Sequence, residues 1–167
     1  LLNDVLLDVI ENQRFGVEYQ PIVSLQNNEV VAYEALSRFY DGDGVAIRPD
    51  LVYSSLHENP LTLYRVEYAQ KRLQLDNMPS AQVFVNLDQD AFYACGGDVS
   101  VNPILQCIQA AGEGRVVVEL IENSEVNDAL MSLSMIETFS NSGIETALDD
   151  LCNPRSMLSV AVLQLVN

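Results

Sequence analysis

Apolar residues recur at helical spacing at the start of the chain. From Leu1 to Asn12, Leu2, Val5, Leu6, Val9 and Ile10 share one stripe, which predicts an amphipathic lead-in helix. Val17 to Leu25 and Val30 to Ser37 then read as strands. The polar Gln26-Asn27-Asn28-Glu29 between them predicts a hairpin. Asn59-Pro60 has the form of an N-cap followed by a first-turn proline. The helix it opens is expected to reach about Leu75, with Leu61, Tyr64 and Tyr68 on one face.

From there the rhythm is regular. Val83-Phe84-Val85 reads as a strand, Ile104 to Ala111 as a helix and Val116 to Ile121 as a strand. Asn127 to Ser142 reads as a helix stopped by Gly143, Glu145 to Leu148 as a strand, and Ser156 to Leu165 as a further helix. Strands alternating with helices at this spacing predict βα units, a mostly parallel sheet and an α/β fold. No internal repeat or linker divides the chain, so residues 1–167 are expected to form a single domain. The five strands visible by pattern cannot close an eight-stranded barrel.

Polar groups gather where these strands end. They are Glu34, Asn86, Glu119 and the pair Asp149-Asp150. Sites form at the carboxyl ends of parallel strands. Each residue also has a structural reading: Asn86 as a turn cap, Asp149-Asp150 as a helix start, Glu34 and Glu119 as solvated rim residues. Two carboxylates about 4 Å apart repel by roughly 4 kcal/mol at an effective dielectric of ~20. A set of this kind therefore takes up protons, spreads or holds a cation. The donors are all oxygen, which favours a hard ion such as Mg²⁺ or Mn²⁺ over zinc.

Charge sharpens that picture. Asp and Glu number 24 against 8 Lys and Arg, a formal net charge of −16. Such an excess argues against DNA and against direct contact with an anionic membrane. A hydrophobic content of 49% excludes wholesale disorder, and the apolar runs are too short for a transmembrane helix. The three cysteines, Cys95, Cys107 and Cys152, make no C-x-x-C pair, so a reducing, cytoplasmic setting is expected. The single histidine, His57, reads as a polar helix-surface residue rather than a catalytic base. The chain begins with Leu and shows no signal peptide, which suggests a piece of a longer protein.

The same residues carry a family resemblance. Tyr19-Gln20-Pro21-Ile22-Val23, then Glu34-Ala35-Leu36-Ser37-Arg38, Val85-Asn86-Leu87, Glu119-Leu120-Ile121-Glu122, Gly143 and Leu148-Asp149-Asp150 follow the order of an EAL domain. The chain resembles that family from the lead-in helix onward. The resemblance implies a modified TIM barrel with an antiparallel first strand, here incomplete. It implies that Glu34, Asn86 and Glu119 hold one divalent ion, Mg²⁺ or Mn²⁺, that Asp149 bridges to a second, and that Asp150 ligates the second. Gln20, Leu36 and Arg38 match positions that touch cyclic di-GMP, and Glu122 matches a residue that steadies the loop after the aspartate pair. The implied reaction is two-metal hydrolysis of cyclic di-GMP to pGpG. A GGDEF or sensor domain in the parent chain would be in keeping with the family.

Two departures bear on activity. Where the family continues Phe-Gly-x-Gly-Tyr-Ser-Ser-Leu, this chain has Leu151-Cys152-Asn153-Pro154-Arg155-Ser156-Met157-Leu158, without either glycine and with a proline that fixes φ. The family's later Lys-x-Asp and Glu are not in the 167 residues, as if roughly a third of a barrel of ~250 residues were missing. No complete catalytic set is therefore expected, and the chain as written is expected to be inactive. A non-hydrolysing cyclic di-GMP receptor and a degenerate protein-binding regulator are the alternatives to a phosphodiesterase parent. An open edge at Glu145 to Leu148 leads to an expectation of self-association.

Overall fold

The computed structural model describes the backbone of residues 3–95, 101–121 and 126–149, and their side chains apart from 121, 126–130, 148 and 149. Glu122, Asp150, the loop after it and the helix expected from Ser156 lie outside the described residues. The lead-in stripe forms α1 (Asn3–Glu11), anchored by the buried Val9. The hairpin is β1 (Phe15–Val23) and β2 (Val30–Tyr40), paired antiparallel with Gln20 opposite Glu34. Its polar turn is closed by Asn28, whose N–H donates to the Ser24 carbonyl at 2.8 Å and whose φ is +59°. Asn tolerates that left-handed geometry better than most residues.

Beyond β2 lie β3 (Ala46–Ile47), α2 (Pro49–Leu56), α3 (Pro60–Asp76), β4 (Gln82–Leu87) and α4 (Gln89–Ala94). They are followed by α5 (Pro103–Ala110), β5 (Val116–Ile121), α6 (Val126–Asn141) and β6 (Glu145–Asp149). The sheet order is β1-β2-β4-β5-β6, and β3 pairs with the end of β2. β2, β4, β5 and β6 run parallel, so only the first strand and the short β3 oppose them. This is the antiparallel-first-strand arrangement of a modified TIM barrel, with the sheet open among the described residues.

Strand alternation separates two faces. On β4, Val83, Val85 and Leu87 are buried while Gln82, Phe84 and Asn86 are half-buried. The buried side meets the helices, where Val118 and Leu120 of β5 join Phe92, Ile104, Ile108, Met135 and Phe139 in the main core. A second core under α2 and α3 holds Val9, Phe39, Val52, Leu56, Leu63 and Val66. Among the described residues no helix is long and apolar enough to cross a membrane.

The structure corrects the sequence at three elements. β3 is too short to show alternation, and α2 and α4 are too short for a convincing stripe. Yet both helices carry start signals: Pro49 opens α2, and the Asp88 side chain caps α4 by accepting from the Ala91 N–H at 3.0 Å. In α3 the capping by Asn59 is as predicted, but Leu61 is exposed and the buried face is largely polar, with Glu67, Gln70, Lys71 and Gln74. Tertiary pairing explains this. The β2–β4 ladder ends at Ala35, and past it the Gln74 amide reaches the Ala35 carbonyl and the Gln70 amide the Arg38 carbonyl, at 3.4 and 3.3 Å.

Candidate functional site

Register brings the predicted oxygen donors together. Gln20 stands opposite Glu34, Glu34 opposite Phe84, and Asn86 opposite Glu119. With a period of two along each strand, Glu34, Asn86 and Glu119 share the sheet face turned away from the helix layer. Adjacent strands lie about 4.8 Å apart, so the three positions form a row. All three are half-buried. The Asn86 side-chain N–H donates to Glu34 Oε1 at 3.0 Å, so the nitrogen is the Asn86 atom turned to Glu34 and the side-chain oxygen is its acceptor and potential metal ligand. Asp149 occupies the register position opposite Ile121, two along from Ala147, the partner of Glu119.

Leu36 and Arg38 continue the same face of β2 toward its end. The Arg38 guanidinium is held by Glu18, whose Oε2 lies 2.7 Å from Nη2, and its Nη1 donates to the Ser37 carbonyl at 2.9 Å. Across the hairpin Arg38 stands opposite Gly16, where a Cβ would come within 2.9 Å of the Tyr40 ring. Gln20 is exposed and beside Glu34, away from the cavity described next.

That cavity, of about 420 Å³, opens where β2 and β4 end beneath α2. Leu36, Arg38 and Asn86 line it together with His57 and with four residues that sequence reasoning missed: Tyr53, Glu67, Lys71 and Asp88. Glu67 is 2% exposed and Lys71 1%, and they pair at 3.0 Å. The Glu67 carboxylate also accepts from the Tyr53 hydroxyl at 2.8 Å and the Asp88 N–H at 3.2 Å, tying α2 and the end of β4 to α3. Burial first, and the Glu67 charge second, push the Tyr53 hydroxyl well above its usual range. It is therefore a neutral donor. Burial also raises the Asp88 carboxyl, against the Ala91 N–H and His57.

His57 is an exposed residue at the helix end, as expected, and its ring is also bonded on both sides. It follows the C-terminus of α2, its Nε2 lies 2.9 Å from Asp88 Oδ2, and its Nδ1 lies 2.8 Å from the Tyr53 carbonyl. The cap signal at Asp88 was present in the sequence. The Glu67–Lys71 pair was not separable there from an ordinary exposed i, i+4 ion pair.

Comparison with known proteins shows the family. The model of the EAL domain matches residues 3–162. Probable cyclic di-GMP phosphodiesterase PdeB of Escherichia coli (strain K12) is 30% identical over 160 residues, which is 92% of this chain and 31% of that protein. The chain thus spans less than a third of that relative. The PaMucR phosphodiesterase in complex with c-di-GMP has a TM-score of 0.74 at 22% identity, over 98% of this chain and 68% of that one. The Bacillus subtilis YkuI protein, which has an EAL domain and was solved with substrate c-di-GMP and calcium, has a TM-score of 0.75 at 23% identity. That match covers 99% of this chain and 42% of YkuI. On the match across nearly its whole length, the chain belongs to the EAL domain family.

Proposed function

We propose that this chain is the cyclic di-GMP-binding part of a metal-dependent phosphodiesterase-type EAL domain, and that the 167 residues by themselves bind the dinucleotide without cleaving it. The observation that carries the reading is the shared placement of the Glu34, Asn86 and Glu119 donors and the Leu36–Arg38 end of β2, with Asn86 lining the same cavity as Leu36 and Arg38. The donors suit a hard dication, because two carboxylates and an amide oxygen offer neither thiolate nor imidazole. Glu34, Asn86, Glu119 and Asp149 would hold Mg²⁺ or Mn²⁺, with Asp150 toward a second ion. When bound, such ions supply charge stabilisation for phosphodiester hydrolysis.

The chain's own residues do the rest. Arg38 has a planar fork suited to a phosphate, and its present partner Glu18 is 63% exposed, so exchanging that carboxylate for phosphate oxygens costs little. Leu36 and the Tyr53 wall offer apolar surface for a base. Gln20, beside Glu34, adds an amide at the edge of the row. The substitution of Leu151-Cys152-Asn153-Pro154 for the family's glycine loop supports binding without turnover. Titration calorimetry with cyclic di-GMP and Mn²⁺ tests the binding. Loss of charge-assisted contacts of about 1.5–3 kcal/mol predicts that Arg38→Ala weakens it roughly 10- to 100-fold. Unchanged affinity in Arg38→Ala would refute the assignment, and pGpG formation abolished by Glu34→Ala would refute the absence of cleavage.

A further inference from the structure

We propose that His57, Asp88 and Asp90 form a binding site for a transition-metal dication of the zinc type, distinct from the strand-end donors and independent of the phosphodiesterase reading. His57 Nε2 lies 2.9 Å from Asp88 Oδ2 and 3.9 Å from Asp90 Oδ2, and one ligand atom from each residue falls within 4.8 Å of the others. Ligands at ~2.0–2.1 Å in a tetrahedral shell lie about 3.3 Å apart, so these separations bracket what zinc requires.

What singles out this triad is a contact made outside it. His57 Nδ1 sits 2.8 Å from the Tyr53 main-chain oxygen. A carbonyl only accepts, so Nδ1 carries the hydrogen. Nε2 is thereby the ring nitrogen that faces two carboxylates, Asp88 at 2.9 Å and Asp90 at 3.9 Å, and it is the atom a cation would share with them. An imidazole fixed by a main-chain carbonyl is the usual outer support of a metal-binding histidine. Asp88 is oriented likewise: Oδ1 accepts from the Ala91 N–H at 3.0 Å, and Oδ2 is the oxygen that faces His57. The nitrogen donor separates this site from the all-oxygen row and shifts its preference from Mg²⁺ toward Zn²⁺ or Co²⁺. His57 and Asp88 both border the cavity, so a remaining coordination position faces a space where solvent or a ligand oxygen fits. A bound ion would clamp the end of α2 to the start of α4.

Zn²⁺ titration of the 167-residue chain, with Co²⁺ as the spectroscopic probe, tests this. The expected result is a Zn²⁺-binding step that depends on His57, a visible cobalt band of low-coordinate type without thiolate charge transfer, and tenfold or greater loss of affinity in that step in His57→Ala. Asp90→Asn, at an exposed position on α4, should weaken binding to a similar extent with the circular dichroism spectrum unchanged. Glu34→Gln should leave the His57-dependent step as it was, whatever it does to ions held by the strand donors. Undiminished affinity in His57→Ala would overturn the proposal, as would an equal loss in Glu34→Gln or a thiolate band. No cyclic di-GMP enters the experiment, so its outcome is separate from that of the binding test above.

Discussion

Lys71 shows most directly how local chemistry depends on position in this fold. It is 1% exposed, and its ammonium faces Glu67, itself 2% exposed and bonded to Tyr53 and to the Asp88 main chain. Removing one member of such a pair strands a buried charge, a loss of typically 3–5 kcal/mol. Glu67→Gln is therefore predicted to destabilise the chain by about 3 kcal/mol in urea unfolding, with a lower midpoint. The double change Glu67→Gln with Lys71→Met should recover part of that loss, because no uncompensated charge is left. A double variant no more stable than the single one would show that Lys71 does not depend on Glu67. In the sequence, Glu67 and Lys71 are only an i, i+4 pair of opposite sign, the commonest pattern of a solvated helix face. Their burial follows from where α3 meets the ends of β2 and β4.

Elements with a chemical start signal were the most legible. Asn59 accepts from the Thr62 N–H at 3.2 Å and Pro60 takes the first position of α3, as Asn-Pro predicts. Replacing Asn59 by Ala should lower the stability of the chain by about 1 kcal/mol in thermal unfolding, whereas Asn59→Asp should come close to the parent. Equal melting for the Ala variant would mean that packing of Leu63 and Val66 alone sets the start of α3. The Gly143 stop after α6 was similarly readable, and Gly143 indeed has a φ of +72°. The face α3 would bury was not readable. Apolar spacing favoured Leu61, but α3 lies over unpaired β2 carbonyls, and that surface selects glutamine amides over leucine.

At the scale of the molecule, the described sheet is open, with β1 and β6 at its two ends. Sheet ends present unpaired main-chain groups and favour pairing between copies. We expect the 167-residue chain to form dimers, read by light scattering across a concentration series. A net charge of −16 opposes that association, so dimerisation should strengthen as salt rises from low to moderate concentration. A monodisperse monomer at high concentration in moderate salt would contradict the expectation.

By itself the sequence determined the alternation of strands and helices, the antiparallel hairpin, and the polar residues carried on the strands, although Glu34 falls at the middle of β2 and not at its end. These are properties of short stretches: period-two burial, turn composition, caps, and the ordered run of Gln20, Glu34 to Arg38, Asn86 and Glu119. Tertiary structure decided what those residues meet. Parallel register set Asn86 beside Glu119 and, through its amide, against Glu34, while the β2–β4 ladder ended early enough for α3 to complete it. It also gathered His57, Asp88 and Asp90 from α2 and the start of α4, more than 30 residues apart in sequence. Short helices and long-range pairs leave no period in a sequence. Their partners are chosen by which main-chain groups and buried charges the fold leaves to be satisfied.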